Sequence, residues 1–193
     1  MSDVITKTNI TKSDNINQGD IIKNVEYIEY IKEEGSIIEA SSIVFPYVIV
    51  LTQSCDLVQD ANARRMNREN KNENVNQDKY LISTMVAPLY NFEDFRKGEH
   101  LIQLDLRMQV MPSAKCRNIS SNEDKRYHFI KFGSDTKLAD CVIDFKHYFT
   151  CNVSYLNLLK ESNYECSIDP LYRELIVQRF SNFLSRIGLP DPE

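Results

Sequence analysis

A chain of 193 residues and 22.5 kDa has the size of one ordinary domain, or of one domain with a small appendage. Hydrophobic residues make up 42% and charged residues 26%, enough for a packed core and too apolar for wholesale disorder. Lys and Arg number 23 against 28 Asp and Glu; the formal charge of -5 excludes a general basic coat for nucleic acid and leaves only a local strip for phosphates.

The longest apolar run, Val44 to Leu51, is far short of the roughly 20 residues of a membrane span. The opening MSDVITKTNITKSDNINQGD has no apolar signal region, so the expected compartment is the cytoplasm and no membrane partner is expected. Cys55, Cys116, Cys141, Cys151 and Cys166 are odd in number and include no C-x-x-C pair, which argues against a disulfide framework. Without cysteines paired at closed-site spacing, neither a metal nor another cofactor is expected.

Residues 1–17 are polar and read as a flexible N-terminal arm. Order begins at the turn Gln18-Gly19-Asp20, which feeds a strand through Val25 and a second strand-like stretch to Ile31. Lys32 to Gly35 is a charged turn, and Ser36 to Ser42 a short strand or extended loop. Phe45 to Thr52 is the strongest strand, apolar on both faces, hence central and covered twice. Pro46 fits only its first residues or an unpaired side. Residues 57–79 form a mobile insertion whose first dozen residues are helical, with Asp56 as the cap, and whose remainder is rich in Asn.

Tyr80 to Ala87 follows as a buried strand, then Asn91 to Lys97 as a short helix ended by Gly98. His100 to Val110 reads as a strand and 112–126 as a polar connection. Tyr127 to Phe132 and Cys141 to Val153 are further strands. In the second, the period of two puts Ile143, Phe145, His147, Phe149, Cys151 and Val153 on one face and Asp144, Lys146, Tyr148, Thr150 and Asn152 on the other. A terminal helix opens at Asp169-Pro170 and stops at Gly188 and Pro190. The expected class is mainly β (α+β), a small antiparallel barrel over residues 18–160 with helical insertions, and a C-terminal helix within 161–193 packed on it.

Gly19-Asp20-Ile21-Ile22, then Phe45-Pro46-Tyr47-Val48-Ile49-Val50-Leu51-Thr52, then Tyr80 to Pro88, and loosely Cys141 to Tyr155, stand in an order that resembles the MazF/PemK (Kid) toxin family. The resemblance implies an SH3-like barrel. Members of that family cut single-stranded RNA with an arginine and a threonine or acid near the groove. Phe45 occupies the position of the arginine that precedes the proline, so the standard RNase site is missing. What the resemblance then implies is a binding or accessory module in a bacterial system. The alternatives are an endoribonuclease toxin with relocated catalytic groups, or an interaction subunit of a multi-gene defence system.

Polar and reactive residues gather at Gln53, Ser54, Cys55 and Asp56, at the end of the best strand, where a rigid sheet mounts sites well. Gln53 and Asp56 could contact a ligand and Cys55 could be a nucleophile with His147 or His128 as base; equally, Asp56 caps a helix and Cys55 is a small buried hydrophobe. Asp144 and Lys146 join Asp56 as candidate catalytic groups, with Tyr148 as a stacking group for a base; the competing reading is a solvated sheet face. Arg64 and Arg65, followed by Arg68 and Lys71, are either a mobile phosphate clamp or a solvated loop. Candidate partners are RNA or a protein docked on the terminal helix, and a barrel edge strand leaves homodimerisation open.

Overall fold

The computed structural model describes residues 4–69 and 77–186. Its strands are β1 (Thr8–Asn9), β2 (Asp20–Glu34), β3 (Ile37–Val50), β4 (Ser83–Asn91), β5 (Tyr127–Ile130), β6 (Cys141–Asp144), β7 (Phe149–Asn152) and β8 (Tyr164–Ile168). The helices are α1 (Ser54–Glu69), α2 (Phe92–Lys97), α3 (Ser113–Ser120), α4 (Val153–Asn163) and α5 (Pro170–Leu184). The fold is α+β: an antiparallel sheet curls into a half-barrel in the order β1-β8-β2-β3-β4-β6-β5, with β7 also paired to β4.

The two edges of that path meet. Thr6 donates its N–H to the Lys131 carbonyl at 2.8 Å and makes a parallel bridge to Phe132, just past β5, while Thr8 and Asn9 pair with β8. Thr6 to Asn9 therefore close the half-barrel, while residues 10–15 are exposed. Ile16 is buried in the core, and the Asn17 N–H is held by Asp20 at 2.7 Å.

Alternation along the central strands explains why both faces are apolar. Ile49 and Leu51 of the β3 exit, with Ala87, Leu89 and Ile143, face a core completed by Ile176, Phe180 and Phe183 of α5. Val48, Val50 and Val86 face the other way, against Leu57 of α1 and Val153 and Leu156 of α4. A third cluster of Tyr90, Phe95, Leu101, Ile119, Tyr127 and Val142 lies under α2 and α3. The doubly covered central strand expected at Phe45–Thr52 is thus present.

Local chemistry sets the helix boundaries. Asn91 caps α2 through its side-chain oxygen, and Gly98 at φ 76° stops it with its N–H on the Asp94 and Phe95 carbonyls. Asp169 accepts from the Leu171 N–H with Pro170 in the first turn of α5, as expected; Gly188 and Pro190 lie outside the described residues. Helix α1 starts at Ser54, so Asp56 sits inside its first turn instead of capping it. The capping oxygen is Gln18 Oε1, which accepts from both the N–H and hydroxyl of Ser54 at 3.0 Å. Of the insertion expected over 57–79, residues up to Glu69 are helical and 70–76 lie outside the described residues.

Of the two alternatives for Ser36–Ser42, strand holds, because β3 begins at Ile37. Three further expectations are corrected. His100–Val110 is no strand: it is a strap with one 3-10 turn at Ile102–Leu104, folded back so that the Met108 N–H meets the Gly98 carbonyl at 2.9 Å. Residues 113–120 of the polar connection form α3. The C-terminal segment 161–193 holds more than a helix, since Tyr164–Ile168 enters the sheet between β1 and β2 before α5 begins.

The long strand expected over Cys141–Val153 is broken, and this break builds the site. β6 pairs Leu89↔Ile143 and β7 pairs Val86↔Phe149, so three residues, Phe145-Lys146-His147, are extruded as one 3-10 turn between two halves of a single neighbour of β4. Asp144 Oδ1 accepts the Lys146 N–H at 3.0 Å and caps the turn. The period of two fails there, and Asp144 and His147, three apart, come to lie on the same side.

Candidate functional site

The C-terminal half of β4 carries Tyr90 into a cleft bounded by the ribbon β2–β3, the extruded turn and the strap 98–112. Three adjoining cavities of 360, 480 and 280 Å³ meet there, sharing His100, His147, Tyr90, Leu101 and Met108 among their walls. Phe45, Tyr47, Phe149 and Tyr148 add aromatic surface. Concave, largely apolar space with a few convergent polar groups is the ordinary form of a small-ligand site.

Those polar groups form a chain. Arg126, which precedes β5, donates Nε to Asp144 Oδ1 at 2.8 Å and Nη2 to Asp144 Oδ2, a bidentate pair on a carboxylate that is 1% exposed. His147 Nε2 lies 3.7 Å from Asp144 Oδ2, and His147 Nδ1 is 3.0 Å from the Tyr90 hydroxyl. With Nε2–H turned toward the carboxylate, Nδ1 is the acceptor and the Tyr90 hydroxyl the donor. On the other side of Tyr90, the His100 ring packs edge-on at 4.8 Å, and its buried Nδ1 has no hydrogen-bond partner.

The electrostatics are quiet. Burial, and secondarily His147, lower His100 to about 4. Burial also lowers His147 against the opposing pull of Asp144. The Tyr90 hydroxyl is raised well above the usual phenol range by burial and by Asp144. Both imidazoles and the phenol are therefore neutral at pH 7, Arg126 cancels Asp144, and Lys115 is paired with Asp124 at the margin. Around Tyr90 such a wall offers hydrogen bonds to an uncharged polar edge; Arg126 and Lys115 are taken up in ion pairs, and Lys137 lines the 360 Å³ cavity.

The sequence candidates divide between two places. Asp144 is in the cleft wall, with Tyr148 on its rim and packed edge-on against Phe180 at 5.1 Å. Lys146 is exposed on the extruded turn. The reading of Asp144 as part of a solvated sheet face is corrected, since Arg126 and the turn enclose it. Gln53, Cys55 and Asp56 lie at the other end of β4, where Leu51 and Thr52 bond to Met85. All three are exposed, and the Cys55 thiol stands 3.6 Å from Gln53 Oε1 and Asp56 Oδ1, so it is not the buried hydrophobe of the alternative reading.

Arg64 is a structural anchor. Its Nε donates to both Asp60 oxygens at 2.8 and 2.9 Å, its Nη2 to the Leu81 carbonyl at 2.9 Å, and its guanidinium stacks 4.5 Å over Tyr80. Arg65 is exposed and, among the described residues, reaches Asn62 at 3.4 Å. The mobile-clamp reading is therefore corrected for Arg64. His128 is buried against Phe145 and pairs across to Ile143, far from a role as base for Cys55.

Tyr90, His100 and Arg126 were not legible as site residues. Arg126 and Asp144 are separated by 18 residues and meet only through the β5–β6 pairing. The histidine two residues after a helix-ending glycine carried no spacing signal of its own. Among the described residues, no group of three or more His, Cys, Asp or Glu is arranged to hold a metal ion. No family model, curated protein or solved structure matches this chain.

Proposed function

We propose that this protein is a binding module whose ligand is an uncharged planar ring with hydrogen-bonding edges, the chemistry of a nucleobase, presented on a strand of RNA. The observation that carries the reading is the Arg126–Asp144–His147–Tyr90 chain set into the wall of an aromatic cleft. A base entering there stacks on Tyr148 or Phe45 and meets the Tyr90 hydroxyl and the His147 ring. Lys137 on the wall of the 360 Å³ cavity and Lys146 on the turn are the cations available to the backbone outside. The resemblance to the MazF/PemK family supports RNA as the polymer and an SH3-like closure of the half-barrel as the fold.

Fluorescence anisotropy with labelled 12-nucleotide RNAs tests it. Tyr90→Phe and His147→Ala each weaken binding about tenfold, the loss of one or two net hydrogen bonds. The salt dependence is shallow because few phosphates are neutralised. Binding that survives both substitutions but is abolished by Arg65→Ala would move the interface to α1 and refute the cleft.

A second reading has one specific observation behind it: two neutral imidazoles, His100 and His147, flank Tyr90. Burial leaves both unprotonated but weak as bases at pH 7. In this reading His147 Nδ1, released by Tyr90, takes the proton of a ribose 2′-OH, whose oxygen attacks the adjacent phosphate and expels the 5′-oxygen, which is protonated by solvent. Induced expression with mapping of cellular RNA 5′ ends separates the two readings. Growth arrest with new, sequence-specific ends that His147→Ala removes makes the protein a ribonuclease; normal growth and unchanged ends leave it a binder.

A further inference from the structure

Beyond Val25 and Phe45, strands β2 and β3 leave the core together. β8 accompanies β2 only from Asp20 to Ile22, and β4 accompanies β3 only from Val48 to Val50. Residues 26–44 are therefore a two-stranded ribbon with no strand at either edge among the described residues. Register determines its faces. Opposed pairs Glu26↔Val44, Ile28↔Ser42, Ile31↔Ala40 and Glu33↔Ile38 share one face, with a register shift between Ile28 and Tyr30 keeping the isoleucines aligned across it. Tyr27↔Ile43, Tyr30↔Ser41, Lys32↔Glu39 and Glu34↔Ile37 share the other.

The first face is an apolar stripe in solvent. Ile28 is 55% exposed, Ile31 63%, Ile38 71% and Val44 47%, with Ala40 between them. Sheets in water cover a face of this kind, and the faces of the sheet outside the ribbon are covered. On the ribbon's second face Tyr30 and Ile37, 49% and 72% exposed, are interrupted by Lys32, Glu34 and Glu39. Charge says what covers it. The ribbon holds Glu26, Glu29, Glu33, Glu34 and Glu39 against Lys32, a formal net of -4 where the whole chain carries -5. On the second face the carboxylates of Glu29, Glu34 and Glu39 already accept from Ser41, Lys32 and Tyr30. On the apolar face Glu33 at the tip and Glu26 at the base, which accepts from the Ser42 hydroxyl at 2.5 Å, stand at the two ends of the stripe.

We propose that this face docks a basic amphipathic helix of a partner protein, apolar side down on Ile28, Ile31 and Ile38 with a cation toward each terminal glutamate. Seven strand residues separate Glu26 from Glu33, about 23 Å. A helix covers that span in about 15 residues, or four turns. A second copy of the chain laid face to face would oppose the same glutamates and add like charge to like, and an anionic bilayer would be repelled for the same reason. The inference is independent of the cleft and its ligand.

The test uses the full chain and three labelled synthetic peptides of one length: an amphipathic Leu/Lys helix, the same composition scrambled to destroy the apolar face, and a Leu/Glu helix. Anisotropy is expected to give a Kd on the order of 10 μM for the first and at least tenfold weaker binding for the others. Ile31→Asp with Ile38→Asp, both exposed and free of core contacts, abolishes the difference between the first peptide and the scrambled one. Glu26→Lys with Glu33→Lys reverses the preference toward the acidic helix. Equal binding of the scrambled peptide, binding that survives the isoleucine changes, or no binding at about 100 μM overturns the proposal. So does a wild-type dimer in sedimentation equilibrium that the isoleucine variant dissolves, which would assign the stripe to a second copy. Capture by anionic vesicles, lost in the same variant, would assign it to a lipid surface.

Discussion

Replacing Lys160 with methionine removes a fully buried positive charge. The side chains of Lys160 and Asp20 are each 2% exposed and meet at 2.7 Å. The ammonium also donates to Ser13 Oγ at 2.9 Å and to the Asn15 carbonyl at 2.6 Å, so it ties α4 to the segment that leads into β2. Methionine fills the same volume without a donor, leaving Asp20 with the Asn17 N–H and Ser167 as the remaining counterweights to the burial that pushes its carboxyl up. Breaking one side of a buried ion pair costs ~3–5 kcal/mol. At a urea dependence of ~2 kcal/mol per M, the midpoint falls by ~2 M. The chain has no Trp and ten Tyr, so far-UV circular dichroism and tyrosine fluorescence are the probes. Adding Asp20→Asn to Lys160→Met recovers part of the loss, with a coupling of ~1.5 kcal/mol or more in the double-mutant cycle. A Lys160→Met protein within ~1 kcal/mol of the parent would show that the pair is no determinant of stability, and the argument from its burial would be wrong.

Three other outcomes follow from single contacts. His128 is 5% exposed and lowered to about 3 by burial and by Arg179, so the unfolded chain binds its proton first as pH falls. Stability from this group is complete above pH 6.5 and declines toward pH 3, by ~2 kcal/mol between pH 7 and 5; His128→Leu flattens that slope by about one proton, and an unchanged slope would contradict the burial argument. Gly98→Ala places a Cβ 2.2 Å from the Met108 carbonyl oxygen at φ 76°, which costs ~2 kcal/mol or more and displaces the strap over the cleft. Gly35→Ala, at φ 63° with open space around it, costs ~1 kcal/mol; equal melting shifts for the two would deny the close approach. Arg64→Ala strands the buried Asp60 and lowers stability by ~2–4 kcal/mol, while Arg65→Ala stays within ~0.5 kcal/mol, a contrast that thermal melts read directly.

Much of the architecture was legible because it is written in local terms. Phe45–Thr52 declares a central strand by being apolar at both parities, and both parities are covered. Asn91 and Gly98 punctuate α2, and Asp169-Pro170 opens α5, because caps and left-handed stops depend on residues a few positions apart. His100–Val110, within the strap 98–112, reads as a strand because Leu101, Ile102, Leu104 and Leu106 imitate a strand's composition. Its path is determined instead by Gly98 and by Asp105 at φ 56°, where the chain turns twice.

The candidate site was hardly legible at all. Asp144, Lys146 and Tyr148 were singled out on a period of two that the extruded turn abolishes, and a three-residue insertion into one strand is recognisable only against the partner strand. By itself the sequence determined the antiparallel sheet, its central strand, the terminal helix and the excess of negative charge, all of which follow from hydrophobic period, capping chemistry and composition. The tertiary structure decided the rest. Strand pairing brought Arg126 to Asp144 across 18 residues, sheet curl brought Thr6 to Phe132, and register sorted the ribbon's isoleucines onto one face. Each of these is a contact between residues far apart in the chain, and nothing in the residues near either partner specifies the other.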